Sequence, residues 1–433
     1  MAGRKEFSMT RNDFLKGTLA ATAMSASAGV FAGAKRKTPE RQTYTPLVSH
    51  DAAPRNRRPY SGVDWLRCHH VMTTSHGHCN NQRMLDAYLK LGYRFFTISN
   101  YYPSAPWYPA KDMTWNYYRV HHDHPVMVKG KRVDGPFDWN KIVSGWKDEL
   151  PPERRKELPL KESDYKVFRW PEGMLEAPNA EHHSFLLENG KSAGSLHVCA
   201  PGSRYASGTF DAHDRFKTAS HGYSYGTGEY WRTAFDRMIA GLVDPEGGGL
   251  TINHPRWSKL DRQLILEMLD HDPRVLGMEV IENGRNAEHY WDWVLATGRQ
   301  CFGMFVPDWA LLSESITDLG ANILVVPELT VHECLKAYRQ GNFYGSLRSR
   351  GELKFTKISF DGTTLEAETD KPARFEIVTA QGVVCKVEGR AVSWTVPKET
   401  HGEGPRVEVF ARVRAHATDG SGEVLFSQAF MLV

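Results

Sequence analysis

The chain has 433 residues, of which 41% are hydrophobic, 24% charged and 11% aromatic, a globular balance on a length that predicts two domains. The formal net charge is +3, and residues 1–34 carry two of those charges, so the remaining body is near neutral and offers no electrostatic footprint for nucleic acid. Six cysteines (Cys68, Cys79, Cys199, Cys301, Cys334, Cys385) include no CxxC pair, which excludes a zinc ribbon and a dense disulfide scaffold.

In chain order, a polar and basic stretch over 4–16 is followed by small and apolar residues over 17–34 and then by Lys35, Arg36 and Lys37. The run is short and rich in Ala, Gly and Ser, so it reads as an export signal rather than a membrane span, with cleavage near Ala32-Gly33-Ala34. The stretch Thr10-Arg11-Asn12-Asp13-Phe14-Leu15-Lys16 resembles the twin-arginine export signal, with Asn12 in the place of the second arginine. The expectation is an exported chain, periplasmic or secreted, that keeps no stable membrane span once the signal is removed. Residues 35–62 follow as a polar lead-in.

From 63 to 350 apolar strand-like runs alternate with amphipathic stretches. The spacing of Met84, Ala87, Tyr88 and Leu91 predicts a helix over 83–91 closed by Gly92, and Phe95-Phe96-Thr97-Ile98-Ser99 reads as a buried strand. Strands at 250–253, 275–281, 302–306 and 323–326 alternate with helices at 262–269, 287–296 and 331–340, which argues for a parallel sheet or barrel. Residues 103–230 break this rhythm with many Trp, Tyr, His, Pro and Gly residues and read largely as long loops on the barrel. After 350, short strands at 353–360, 364–369, 373–379, 383–387, 391–396 and 406–413 indicate a small C-terminal β-sandwich over 351–433.

In barrels built from βα units, chemistry gathers at the C-terminal ends of strands. Those ends carry Asn100-Tyr101-Tyr102, His254-Pro255-Arg256-Trp257, Glu282-Asn283-Gly284 and Pro307-Asp308-Trp309. Turn chemistry explains the Asn, Asp, Gly and Pro but not His254. Two further runs are rich in ligands: Cys68-His69-His70-Val71-Met72-Thr73-Thr74-Ser75-His76-Gly77-His78, and Glu176-Ala177-Pro178-Asn179-Ala180-Glu181-His182-His183. A third, His121-His122-Asp123-His124, has no strand context. Imidazole with carboxylate suits zinc, iron or manganese rather than calcium.

Taken in order, these segments resemble the PHP (polymerase and histidinol phosphatase) superfamily of metal-dependent phosphoesterases. The family opens with H-x-H-T-x-x-S-D-G, to which His69 through Ser75-His76-Gly77 is similar, and continues with a G-Y/F-D…I-T-D-H segment, to which Gly92-Tyr93-Arg94 and Ile98-Ser99-Asn100-Tyr101 are similar. Glu176, His183, the 250–255 strand ending in His254-Pro255, Glu279-Val280-Ile281-Glu282-Asn283 and Asp308-Trp309-Ala310 resemble its later elements, and 324–327 with 337–344 its closing strand and helix. The resemblance spans roughly 63–346 and implies a distorted (β/α)7 TIM-like barrel holding up to three metals. One implied site, Glu176, His183 and His254, is complete. A second, of His69, Glu176 and Asp308, lacks one ligand, with His70 an alternative to His69 one residue on. The third keeps only His76. Val71 or Met72, Tyr101 and Ala310 stand where the family has ligands. The expectation is therefore one or two divalent transition-metal ions (Zn, Mn or Fe).

The resemblance implies a metal-activated water attacking a phosphoester or related ester. Asp308 would orient the water or bind the second metal, Arg256 would neutralise an anionic substrate, and Tyr101 would act as acid or hydrogen-bond donor. Two other readings are a carbohydrate-active hydrolase or lyase on the same barrel, suggested by Trp107, Tyr108, Trp115, Tyr117 and Tyr118, and a non-catalytic binding protein with a decayed metal site. The partner in each case is a small molecule or an oligosaccharide. Oligomeric state is not written in the sequence.

Overall fold

The structure, a computed structural model, describes residues 40–79, 82–99, 126–128, 131–133, 171–183, 185–205, 227, 229–282, 285–308, 320–347, 352–397 and 408–432. The signal segment, Tyr101, Ala310 and the aromatic and histidine runs of 103–124 lie outside the described residues. Of the two units into which the chain divides, Met1–Glu40 contributes only Glu40, and everything below belongs to Arg41–Val433.

The first strand, β1 (His69–Thr73), pairs antiparallel with β12 (Gly320–Val326), which pairs antiparallel with β13 (Phe343–Leu347). That sheet continues through β18 (Val424–Phe426), β17 (Phe410–Ala417), β15 (Thr364–Thr379) and β14 (Phe355–Phe360); β16 (Gly382–Thr395) pairs with β15 and β19 (Phe430–Met431) with β17. A second sheet holds β6 (Glu181–His182), β7 (Val198–Cys199), β8 (Leu250–Ile252), β9 (Val275–Glu282), β10 (Arg285–Asn286) and β11 (Phe302–Val306). Two short ladders stand apart: β2 (Phe95–Phe96) with β5 (Leu175–Glu176), and β3 (Val126–Val128) with β4 (Lys131–Val133).

The chain is thus mixed α/β. The expected closed (β/α)7 barrel is not formed among the described residues. Among the described residues parallel ladders are confined to β8–β9–β11 and β2–β5, with isolated parallel bridges at Gly77–Asp308 and Leu186–Tyr230, and β1 is captured by an antiparallel partner. Parallel neighbours need a crossover helix, and two are in place: α4 (Arg262–His271) between β8 and β9, and α5 (Glu288–Ala296) between β9 and β11. β12 and β13 run antiparallel although α6 (Val331–Gln340) lies between them. The remaining helices among the described residues are α1 (Gln82–Leu91), α2 (Trp231–Ala240) and the single turn α3 (Pro255–Ser258). Local signals set their ends: Asp261 accepts from the Leu264 amide, Thr330 from the Glu333 amide, and Gly341 closes α6 at φ 73°.

Two expected strand pairs at the C-terminus are single long strands. β15 runs unbroken through Pro372, because it changes neighbour there, from β14 over its first half to β17 over its second, with β16 along its other edge. Proline is tolerated at such an irregularity, because the β14, β16 and β17 ladders all skip residues 370–372. These strands share their cores with the preceding segments. Phe355, Phe375 and Leu425 cluster with Tyr88 and Phe96, and Phe410, Phe426 and Met431 cluster with Met278, Trp291 and Phe305. Arg412 of β17, fully buried, donates to Glu288 at 2.7 Å and to Asp292 at 2.9 and 3.0 Å on α5. The lead-in is also built in, since Arg55 donates to the carbonyls of Leu269, Asp272, Val275 and Gln300 at 2.8–3.2 Å.

Candidate metal centre

The loop leaving β1 carries Thr74, Ser75, His76, Gly77 and His78, all buried. The Thr74 hydroxyl folds it by accepting from the His76 amide (3.1 Å) and donating to the His76 carbonyl (2.8 Å), while Asn179 donates to the Ser75 carbonyl at 2.9 Å. Glycine is required at 77, because a Cβ there would meet the Tyr88 hydroxyl at 2.7 Å and Thr74 Cγ2 at 2.8 Å. The Asp308 amide donates to the His76 carbonyl (3.2 Å), and the Glu181 amide to the Ser99 carbonyl (3.0 Å). Three segments distant in sequence thereby converge at one end of the sheets.

Their side chains meet at four donor atoms. His76 Nε2 lies 3.3 Å from His78 Nε2, 3.3 Å from Glu181 Oε2 and 3.2 Å from Asp308 Oδ1. His78 Nε2 lies 3.1 Å from Glu181 Oε2 and 3.4 Å from Asp308 Oδ1. Ligands of one tetrahedral ion with arms of about 2.0–2.1 Å lie about 3.3–3.4 Å apart, a figure these separations approach, and two sets fall within reach of a single ion: His76, His78 and Asp308, and His76, Glu181 and His254. Glu181 Oε2 and Asp308 Oδ1 are buried without a hydrogen bond of good geometry. Such atoms are costly unless a cation faces them.

The tautomers agree. His76 Nδ1 sits 2.7 Å from Glu279 Oε1, so it carries the proton and Nε2 presents its lone pair to the cluster. The Ser258 hydroxyl donates to the Ser195 carbonyl at 2.7 Å, which leaves His254 Nδ1 to donate to Ser258 Oγ (2.7 Å) and turns the lone pair of His254 Nε2 toward Glu181 Oε1, 3.4 Å away. That same oxygen accepts from His197 Nδ1 at 2.6 Å. Glu181 therefore faces His76 and His78 through Oε2, and His254 and His197 through Oε1. His254 (φ 30°) and Asp308 (φ 47°) both adopt the left-handed conformation at strand ends. A non-glycine residue held there costs about 1–3 kcal/mol, and such strain clusters at functional sites.

Without a cation the cluster neutralises itself with protons. Burial opposes charge on His76, but Glu181, Asp308 and Glu279 outweigh it and hold its pKa well above the usual imidazole value. Burial likewise opposes charge on His78 and His254, yet the carboxylates raise both. Burial pushes Glu181 and Asp308 up, but the facing histidines win and hold both below the usual carboxylate range, Glu181 well below it. His197 is pushed down by burial and stays neutral.

A second group of similar residues behaves differently. His50, Asp236 and His271 converge, with Tyr44 donating toward Asp236 Oδ2 at 3.0 Å and His271 Nε2 2.9 Å from Asp236 Oδ1. Arg232, which can only donate, points at His271 Nδ1 (3.4 Å), so the His271 proton sits on Nε2 and goes to Asp236. Hydrogen bonds satisfy this set as a staple for the lead-in, and it presents no lone pair at His271 Nε2 for a metal.

Of the residues expected from sequence, His76, His254 and Asp308 come together. His183 stands beside the set, its ring 5.2 Å from that of His197. His69 and His70 take no part in those contacts. His69 is exposed at the start of β1, and His70 turns to the Tyr344 hydroxyl at 3.0 Å, with burial pushing it down to about 4. Glu176 is half-buried in β5, and the central carboxylate is Glu181, five residues on. Arg256 donates to the Asn286 carbonyl at 2.6 Å. His78 and Glu181 belong to the two ligand-rich runs without being the residues expected within them, and His197 and Glu279 join them in the folded chain. Glu279 had a usable signal, a carboxylate in a strand buried at all eight positions, whereas the lone His197 had none.

Fold and cluster together define a mixed α/β protein with a buried histidine–carboxylate centre suited to a divalent ion. No family model matches the chain, and no curated protein matches it. Among solved structures, a two-domain protein from Bacteroides vulgatus ATCC 8482 containing a predicted PHP-like metal-dependent phosphoesterase aligns with a TM-score of 0.37 and 12% identity, over 85% of this chain and 95% of that one. So slight a likeness carries no functional inference, which rests on the donor geometry alone. Among the described residues no helix is long and apolar enough to cross a membrane.

Proposed function

We propose that the protein is a metal-dependent hydrolase of small phosphoesters or related esters, holding one or two divalent transition-metal ions. The observation that carries this reading is the convergence of His76 Nε2, His78 Nε2 and Asp308 Oδ1 within 3.2–3.4 Å of one another, with Glu181 and His254 forming a second set around His76. A bound dication supplies Lewis acidity and lowers the pKa of water toward neutrality. The chain supplies the rest. Glu279 holds the His76 proton on Nδ1, and Ser258 takes that of His254, so both rings keep their Nε2 lone pairs aimed inward. His197 donates Nδ1–H to Glu181 Oε1 and so holds that carboxylate in place. Export of the chain is proposed on the pattern of residues 1–34 alone.

The test is elemental analysis of the purified chain after reconstitution, beside His76→Ala, Glu181→Gln and Asp308→Asn, followed by a phosphoester panel. One or two equivalents in the wild type, reduced in all three variants, with turnover that follows the metal, is the expected result. A folded wild type that takes up no metal would sink the hydrolase reading and leave a binding role.

A further inference from the structure

We infer that Trp257 is a substrate-contact residue that stacks on a ring carried by the substrate next to its scissile group, an inference that rests on the hydrolase reading above. Trp257 is 46% exposed, and among the described residues it is the one aromatic side chain among the exposed large hydrophobic ones. Its ring centroid lies 4.9 Å from that of His254 and 6.5 Å from that of His197, so the indole stands at the rim of the centre.

The local backbone fixes it there. α3 is a single turn held between two left-handed residues, His254 (φ 30°) and Lys259 (φ 49°). The carboxylate of Glu282, itself buried, accepts from the Arg256 amide at 3.1 Å and the Trp257 amide at 3.3 Å. Ser258 on the same turn orients the His254 ring. One turn thus carries a candidate ligand, the group that sets its tautomer and an exposed indole in a rigid relation. Arg256, the expected anion contact, is turned away to Asn286, which leaves the indole as the large group of this turn beside the centre.

An exposed indole gains most by covering a face that is apolar but not greasy, namely an aryl ring or the C–H face of a pyranose. The substrate class that follows is an aryl or glycosyl phosphoester rather than an open-chain one.

The test uses non-hydrolysable probes on the metal-loaded full chain, so that it does not depend on turnover. Affinities of methylphosphonate, phenylphosphonate and a pyranosyl phosphonate are measured by calorimetry for the wild type, Trp257→Ala and Trp257→Phe, with metal content determined in each. The expected result is about tenfold tighter binding of a ring-bearing probe than of methylphosphonate, lost in Trp257→Ala and largely kept in Trp257→Phe at wild-type metal content. A preference for the phenyl or the pyranosyl probe identifies the ring. Equal affinities in the wild type, or a ring advantage that survives Trp257→Ala, overturn the role of Trp257 while leaving an anion-binding metal centre. A metal-loaded wild type that binds none of the three overturns the phosphoester reading itself, and this inference with it.

Discussion

Glu279→Gln isolates the support of the centre from its ligands. Glu279 is fully buried on β9 and accepts twice, from His76 Nδ1–H at 2.7 Å and from the His254 amide at 2.7 Å. Glutamine is nearly isosteric but has one acceptor oxygen where the carboxylate has two. If that oxygen faces the His254 amide, the new NH2 group faces His76 Nδ1. The ring must then move its proton to Nε2, which removes the lone pair aimed at His78, Glu181 and Asp308. If the amide is reversed, its NH2 opposes the His254 N–H, at a residue already strained at φ 30°. Either arrangement disables one of two ligands without removing a ligating atom. Loss of such a supporting partner weakens metal binding about 10–100-fold, or about 1.4–2.7 kcal/mol. Competition against a chromogenic chelator at pH 7.5 measures it, with circular dichroism to establish that the variant is folded. A folded Glu279→Gln with wild-type affinity would refute the tautomer argument and, with it, the assignment of His76 Nε2 as a ligand.

Metal uptake by the metal-free chain should release protons. His76, His78 and His254 have raised pKa values, so they hold protons beyond the ordinary imidazole range, and affinity should climb as pH rises through and above about 6.5. Calorimetry in two buffers of different ionisation enthalpy should register at least one proton released at pH 7, and zero would contradict the charge state described. The same shifts bracket the stability of the chelated protein. The raised histidines contribute stability that is complete below about pH 6.5 and lost as pH rises through their folded values. The depressed Glu181 and Asp308 contribute stability that is complete above about pH 4.5 and lost as pH falls. The melting temperature of metal-free protein should therefore fall on both sides of that interval. Arg55→Met strips donors from four carbonyls and should cost about 2 kcal/mol or more in denaturant unfolding, whereas a change under about 0.5 kcal/mol would show the lead-in to be dispensable. Gly77→Ala should displace the His76–His78 loop and abolish tight metal binding in a folded protein. Adding Tyr88→Phe, which removes the hydroxyl at 2.7 Å, should restore part of it, and normal binding in Gly77→Ala alone would refute the close-packing account.

Local signals were legible wherever the chain's own periodicity decides structure. α6 and β11 fall on the expected residues, and α4 and α5 within two residues of them, because apolar spacing, N-caps and closing glycines act within a few residues of one another. The rule that chemistry collects where strands end found His254 and Asp308, and a histidine-rich run found His76. Pairing between strands is not local. Nothing in 69–73 marks β1 for an antiparallel ladder with residues 322–326, and nothing in Pro372 says that the strand will pass through it and change neighbour. The reach of Glu181 had the same origin: Glu176 and Glu181 are carboxylates in one acidic, histidine-bearing run, and the anchoring of the Glu181 amide to the Ser99 carbonyl is a contact between distant segments. Residue types and spacing were thus enough to announce a histidine–carboxylate centre at strand ends. Which oxygen meets which nitrogen at 3.1–3.4 Å was decided by contacts between segments about a hundred residues or more apart, which no local pattern encodes.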